Sequence, residues 1–142
     1  MREEITPVGA FIGRHTMAEL EGIDSALLDN EDLLRKILAG SLTVAGATVL
    51  DITSKRFQPQ GVTVLLLLAE SHASIHTYPE LGAAFVDVFT CGERADPGYA
   101  TRLVAEALKP TRLNLHTVAR GHTERNVVRT GDEPGTEVMS SA

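Results

Sequence analysis

The spacing of hydrophobic positions predicts two helices in the chain. Asn30 is a good N-cap residue, and the two acidic residues after it suit the positive end of a helix dipole. The apolar residues of this first helix form one stripe at helical spacing: Leu33, Leu34, Ile37, Leu38, Leu42 and Ala45. Asp96-Pro97 predicts the start of the second helix, because an N-cap acid followed by proline favours initiation. Lys109-Pro110 ends that helix.

The other apolar segments have the pattern of β-strands. They are residues 13–20, 47–57, 62–69, 83–89 and 112–118. Residues 62–69 are apolar on both faces, which favours a central strand covered on both sides or a strand at a subunit interface. The segment that follows it is also interpreted as extended. The order of elements is therefore β-α-β-β-β-β-α-β.

This order predicts an α+β fold, a two-layer sandwich in which a mainly antiparallel sheet carries two helices on one face. The other face of the sheet also has to be covered. Sheet-to-sheet packing of two copies would give a homodimer with four layers, α/β/β/α. We expect a single domain over residues 13–120, a flexible arm at residues 1–12 and a disordered tail at residues 121–142.

Composition narrows the class of protein. The 142 residues, 43% hydrophobic and 23% charged, suit one globular domain. A net charge of −6 without a basic cluster predicts no nucleic-acid partner and no anionic membrane surface. The longest apolar run, Val64 to Ala69, is too short to span a bilayer, and no signal peptide precedes it. A single cysteine, Cys91, favours a reducing cytoplasm.

Residues 70–80 concentrate polar chemistry directly after the most hydrophobic strand. The sequence there is Glu-Ser-His-Ala-Ser-Ile-His-Thr-Tyr-Pro-Glu. Alternation along an extended chain places four polar or aromatic side chains on one face: His72, Ser74, His76 and Tyr78. Acid, hydroxyl and imidazole groups at the end of a buried strand cost stability unless they are hydrogen-bonded, which indicates a functional site.

The residues alone leave several kinds of site open. His72 and His76 are spaced to share a metal on a helix, but the segment is extended and lacks the accompanying glutamate, so no metal is predicted. A triad of Ser71, His76 and Asp87 is conceivable, although no Gly-x-Ser-x-Gly elbow surrounds the serine. A lone cysteine such as Cys91 is more often a small buried hydrophobe than a catalyst.

Two motifs carry a resemblance to a known family. The run from Glu70 to Glu80 and the segment Asp87-Val88-Phe89-Thr90-Cys91-Gly92 resemble the prokaryotic S-adenosylmethionine decarboxylase proenzymes. The similarity extends from Gly13-Arg14-His15 to about Val118 and includes Arg56-Phe57.

The resemblance implies a precursor that cleaves itself between residues 70 and 71. The hydroxyl of Ser71 would attack the carbonyl of Glu70, and β-elimination from the resulting ester would follow. Hydrolysis of the dehydroalanine would then leave a pyruvoyl group at position 71 and release ammonia. By the same resemblance, His76 removes the α-proton of Ser71, and Thr63 stands where relatives use a serine to assist the acyl shift.

The pyruvoyl group would be the cofactor of the mature enzyme. Its ketone would form a Schiff base with the substrate amine and accept the electrons that remain when carbon dioxide leaves. The resemblance assigns Cys91 to reprotonation. It assigns Phe57 and Tyr78 to stacking on adenine and Glu80 to the ribose hydroxyls, in a site built between two protomers. Tyr78 departs from the tryptophan that is common in relatives.

The function that follows is decarboxylation of S-adenosylmethionine for spermidine synthesis, catalysed by a cytoplasmic homodimer. One alternative is a pyruvoyl-dependent decarboxylase of ornithine or arginine on the same scaffold. Aromatic residues at 57 and 78 and the acid at 80 favour the adenosyl substrate, because those amino acids have no adenine or ribose. A second alternative is a non-catalytic regulatory paralogue, which would be expected to have lost Ser71, His76 or Cys91, whereas all three are present.

Overall fold

An antiparallel sheet of six strands forms one layer of the molecule in the computed structural model, which describes residues 11–122. The strands are β1 (Ile12–Glu21), β2 (Val49–Arg56), β3 (Val62–Leu68), β4 (Ser71–Tyr78), β5 (Ala83–Cys91) and β6 (Arg112–Gly121). Their order across the sheet is β2-β3-β4-β5-β1-β6, and all neighbouring pairs are antiparallel. The predicted α+β class and the predicted order of elements are confirmed.

Helices cover one face of this sheet. The two long ones are α2 (Glu31–Val44) and α3 (Pro97–Leu108), and a short helix, α1 (Ser25–Leu28), precedes them. The predicted starts are confirmed, since the Asn30 side chain accepts a hydrogen bond from the Leu33 amide and Asp96 accepts one from the Tyr99 amide. A 3₁₀ turn (Pro79–Leu81) joins β4 to β5. In the part of the chain that the structure describes, no helix is long and apolar enough to cross a membrane.

The hydrophobic core lies between the helices and the sheet. Leu34, Leu38 and Leu42 from α2 are fully buried, as are Val104 and Leu108 from α3. They pack against alternate residues of the central strands, which are Val62, Val64, Leu66, Leu68, Ala73, Ile75, Ala84, Val86 and Val88. Burial of this aliphatic surface is the main force that holds the two layers together.

The opposite face of the sheet is covered by nothing within residues 11–122, and we call it the open face. It includes Leu65, Leu67 and Phe85, whose exposed fractions are 46%, 55% and 50%. Register places each of them in a central strand, where large apolar side chains are normally covered. The prediction that β3 is apolar on both faces is therefore confirmed.

The limits of the regular structure differ slightly from the predicted domain. β1 begins at Ile12 and β6 ends at Gly121, one residue beyond each predicted limit, because these two residues pair with each other. Residues 1–10 and 123–142, which contain most of the predicted arm and tail, lie outside the described residues.

Candidate active site

The peptide bond between Glu70 and Ser71 lies in a tight hairpin that is held by hydrogen bonds on both sides. The loop between β3 and β4 contains only Ala69 and Glu70, since Leu68 pairs directly with Ser71. The Ala69 amide donates to the carbonyl of Thr48, and the Glu70 carboxylate accepts from the Thr48 amide. On the other side, the Cys91 amide donates to the Glu70 carbonyl at 2.9 Å. The predicted cleavage-site carbonyl is thus both fixed and polarised.

Ser71 has an unusual backbone conformation. Its φ is +154°, a region that side-chain-bearing residues rarely occupy and that commonly marks functional sites. Its hydroxyl oxygen lies 3.1 Å from Nδ1 of His72. The predicted alternation in β4 holds for Ala73, Ile75 and Thr77, which are buried against the helices, and for His72 and Tyr78, which are exposed. Ser74 is buried although it was predicted on the face of His72, and it donates to Asp87.

Thr63 and His76, each predicted to assist self-cleavage, lie in the same hairpin but far from Ser71. The two residues are opposite each other across β3 and β4, with the Thr63 hydroxyl 3.1 Å from Nδ1 of His76. His76 is five residues along one continuous strand from Ser71. Strand geometry therefore separates their Cα atoms by about 16 Å. Within one chain, the imidazole of His76 cannot reach Ser71.

The residues predicted to bind substrate cluster near His76. Phe57 is exposed at the end of the β2–β3 hairpin, where its amide donates to the Gly61 carbonyl. Tyr78 ends β4 and contacts Phe85 edge to face, with 5.8 Å between ring centroids. Glu80 is exposed in the following 3₁₀ turn.

A cavity of about 330 Å³ adjoins the aromatic rings of Tyr78 and Phe85. Its walls include Tyr78, Phe85 and Leu81 together with Glu19 and Glu21. This volume is at the lower end of the range for small-molecule sites. Two carboxylates beside two aromatic rings suit an organic cation.

The structure separates the residues of the conceivable triad. Ser71 is next to His72 rather than His76, and Asp87 accepts hydrogen bonds from Ser74 and His15 instead. Cys91 is exposed, unlike the small buried cysteine that is more common. Among residues 11–122, no group of three or more histidine, cysteine, aspartate or glutamate side chains is arranged to hold a metal ion.

A chain of polar contacts across the open face was not predicted. Arg120 is 3.3 Å from Nδ1 of His15, whose Nε2 is 3.2 Å from Asp87, which in turn accepts a hydrogen bond from Ser74. Because arginine can only donate, the proton of neutral His15 must lie on Nε2 and point to Asp87. The Arg120 guanidinium also stacks 4.4 Å above the Phe89 ring. These contacts join four strands, β4, β5, β1 and β6. The contacting residues are up to 105 positions apart in the sequence.

The surroundings of Ser71 can accommodate a new polar group. Thr90, opposite Ser71 in register, is fully buried, and its hydroxyl has no hydrogen-bond partner among the described residues. An unpaired buried hydroxyl is costly and normally has a structural or functional reason. A carbonyl that forms at position 71 would provide an acceptor, so the residues present fit a pyruvoyl group there.

Fold and site together define a class: a two-layer α+β protein with reactive groups on the uncovered face of its sheet. A crystal structure of the adenosylmethionine decarboxylase from Aquifex aeolicus has this fold, with a TM-score of 0.76 and 36% identity. The alignment covers 85% of this chain and 100% of that one.

Sequence relatives agree with the structural likeness. The family model described as S-adenosylmethionine decarboxylase matches residues 14–121. The S-adenosylmethionine decarboxylase proenzyme of Caldicellulosiruptor saccharolyticus is 47% identical over 116 residues, which are 82% of this chain and 94% of the relative. That of Brevibacillus brevis is 42% identical over 130 residues, 92% and 95% of the two chains. The chain belongs to the S-adenosylmethionine decarboxylase family.

Proposed function

We propose that this chain cleaves itself between Glu70 and Ser71 and then decarboxylates S-adenosylmethionine with the pyruvoyl group formed at position 71. The observation that carries the proposal is the hydrogen bond from the Cys91 amide to the Glu70 carbonyl, beside the strained Ser71. Attack of a hydroxyl on this carbonyl places negative charge on its oxygen. A backbone amide already aimed at that oxygen stabilises the charge as it develops.

Cys91 has a second role in the proposal. When formed, the pyruvoyl group would supply an electron sink for the electron pair that stays on the substrate α-carbon as carbon dioxide leaves. The exposed Cys91 thiol returns a proton to the substrate carbon. The amide and the thiol of one residue thus serve consecutive stages, and only the thiol is removed by a change to alanine.

His76 is assigned to removal of the Ser71 α-proton. Its contact with Thr63 determines which ring nitrogen is available. If Nδ1–H donates to the Thr63 hydroxyl oxygen, the lone pair of Nε2 is free to accept a proton. Threonine keeps the hydroxyl that relatives supply with serine, so it can hold the ring in this tautomer.

The distance between Ser71 and His76 supports a site that is shared between two copies of the chain. About 16 Å along β4 separates them, and the open face presents Leu65, Leu67 and Phe85 to solvent. Face-to-face packing of two sheets buries these side chains. A two-fold axis that lies between the sheets and perpendicular to β4 reverses the strand direction. With this axis midway between the two residues along β4, Ser71 of one protomer lies against His76 of the partner subunit.

The same arrangement completes the substrate site. Tyr78 and Glu80 follow His76 closely in the chain, and strand register brings Phe57 to the same end of the sheet. In the homodimer all three therefore face the partner's Ser71. The aromatic rings provide stacking for adenine and cation–π attraction for the sulfonium, and Glu80 accepts hydrogen bonds from the ribose. Glu19 and Glu21 add negative potential beside Tyr78.

Release of carbon dioxide from carboxyl-labelled substrates tests the activity. Purified wild type should decarboxylate S-adenosylmethionine and leave ornithine and arginine unchanged. Glu80→Gln should raise KM for S-adenosylmethionine, because a neutral amide has one acceptor oxygen in place of two and its hydrogen bonds are weaker than those to a charged carboxylate. Glu106→Gln, on the exposed surface of α3, is the matched control. Turnover of ornithine or arginine in preference to S-adenosylmethionine would contradict the substrate assignment.

A further inference from the structure

The contact between Ser71 and His72 has no role in the reaction described so far. The Ser71 hydroxyl oxygen is 3.1 Å from Nδ1 of His72, which is hydrogen-bond distance to the atom that attacks Glu70. His76 is about 16 Å away in the same chain and is assigned to a later step. The hydroxyl therefore has an adjacent imidazole of its own.

We propose that His72 is the general base that removes the hydroxyl proton of Ser71 during self-cleavage. The proposal rests on the proposed cleavage at residues 70 and 71. Histidine suits the role because neutral imidazole can accept a proton near neutral pH and return it. For Nδ1 to accept, the proton of the neutral ring must lie on Nε2.

The step needs no other reactant, because the proton that His72 takes up is returned within the same step. Nδ1 of His72 takes the hydroxyl proton as Ser71 Oγ bonds to the carbonyl carbon of Glu70. Negative charge collects on the carbonyl oxygen, where the Cys91 amide donates. The bond from the Glu70 carbonyl carbon to the Ser71 nitrogen then breaks, and His72 returns the proton to that nitrogen. The result is an ester and a free amine, with His72 unchanged.

The ring of His72 is held in place by its neighbours on the open face. It packs at a tilt against Phe89 with 5.8 Å between centroids, and edge to face with His15 at 6.4 Å. His15 is itself bound by Asp87 and Arg120. A ring packed on fixed neighbours loses less rotational freedom in the transition state than a free side chain, which favours catalysis.

The decisive variant is His72→Asn. The asparagine carbonyl can accept the Ser71 hydrogen bond but cannot take up a proton near neutral pH, so it separates positioning from base catalysis. His116→Asn is the matched control for self-cleavage, since His116 is in the edge strand β6 and has no hydrogen bond to Ser71, His72 or His76 among the described residues. The rate of self-cleavage is followed by denaturing gel on freshly purified wild type and both variants. Native mass is measured in parallel.

Hydroxylamine identifies the stage at which cleavage stops. It cuts an ester but leaves an amide intact, so an ester-stalled chain separates at residue 70 and an amide-stalled chain does not. We expect His72→Asn to slow cleavage by at least about 100-fold, the lower range for general base catalysis, and to resist hydroxylamine. His76→Ala, in contrast, should accumulate hydroxylamine-sensitive chain.

Each other outcome overturns the assignment. If His72→Asn cleaves at the rate of wild type, the base is another group. The proposed function still holds in that case, because wild type cleaves itself. If the His72→Asn chain accumulates as the ester, His72 acts in the elimination step and not in the attack of Ser71. If the His72→Asn variant does not cleave and also no longer has the native mass of wild type, His72 is needed for assembly of the protein. If wild type itself stays uncut, the proposed function fails, and this proposal fails with it.

Discussion

Mixed dimers test whether the active site is shared between protomers. Two chains carrying different affinity tags, one Ser71→Ala and the other His76→Ala, are produced in the same cells. Neither chain alone can complete self-cleavage, because one lacks the attacking hydroxyl and the other lacks the histidine assigned to removal of the α-proton. In a mixed dimer, the intact Ser71 of one chain meets the intact His76 of the other.

The expected extent of cleavage follows from the geometry. The distance of about 16 Å along β4 prevents a chain from using its own His76, so each site needs one residue from each protomer. With equal amounts of the two chains and random pairing in a two-fold dimer, about half of the His76→Ala chains are in mixed dimers. These chains should be cut between residues 70 and 71, and the Ser71→Ala chains should all stay intact.

The assay is purification through both tags followed by mass measurement of each chain. In mixed dimers, the His76→Ala chain should then be cut close to completion. A mixture of Ser71→Ala with the His116→Asn control should give cut His116→Asn chains in every dimer. Mixed dimers in which both chains stay whole, or His76→Ala chains that cleave when produced alone, would refute the shared site.

Three further predictions concern single positions. Cys91→Ala should still self-cleave, because its amide remains, but should decarboxylate roughly 10² to 10⁴ times more slowly if the thiol is the proton donor; normal turnover would exclude that role. Leu67→Glu should weaken dimerisation at least roughly 100-fold and stop cleavage, since burying an unpaired charge costs several kcal/mol. Val44→Glu, on an exposed helix end, is the control and should change neither property. Sedimentation measures dimerisation and a denaturing gel measures cleavage. The hydrogen bond from Arg56 holds the pKa of Asp29 below its ordinary value of 3.8, so this carboxylate contributes stability that is present above that pH and lost as the pH falls through the lowered pKa. Urea unfolding should therefore show Asp29→Asn less stable than wild type at neutral pH, with a difference that shrinks in acid; a constant difference would contradict this linkage.

Much of the fold could be predicted because local chemistry and global structure agree. The caps at Asn30 and Asp96 and the apolar stripes that follow them define the two long helices without tertiary information. The short helix α1, residues 25–28, was missed because four residues give no periodicity. The 3₁₀ turn after Tyr78 was not predicted either, since the proline that begins it indicates a boundary but not a turn type.

The site was only partly predictable, because two of its features depend on register. A hairpin loop of two residues, Ala69 and Glu70, fixes Thr63 opposite His76, so this pair could have been inferred from the loop length. The same extended strand separates His76 from Ser71, although the motif makes them look adjacent. Contacts such as that of His15 with Asp87 join residues 72 positions apart and have no sequence signal. Family resemblance implied the roles, and register gave the separation of Ser71 from His76 on which the proposed two-chain site rests.

Intact mass of freshly purified protein, with Ser71→Ala as the control, tests the central claim most directly. The account predicts two fragments from wild type, one that ends at Glu70 with an ordinary carboxyl group and one that begins at position 71. The second fragment should be lighter by one ammonia than the same segment with an N-terminal serine, because the pyruvoyl group has replaced it. Ser71→Ala should remain a single chain. A wild-type chain that stays whole, or a second fragment with an unmodified serine, would contradict the account.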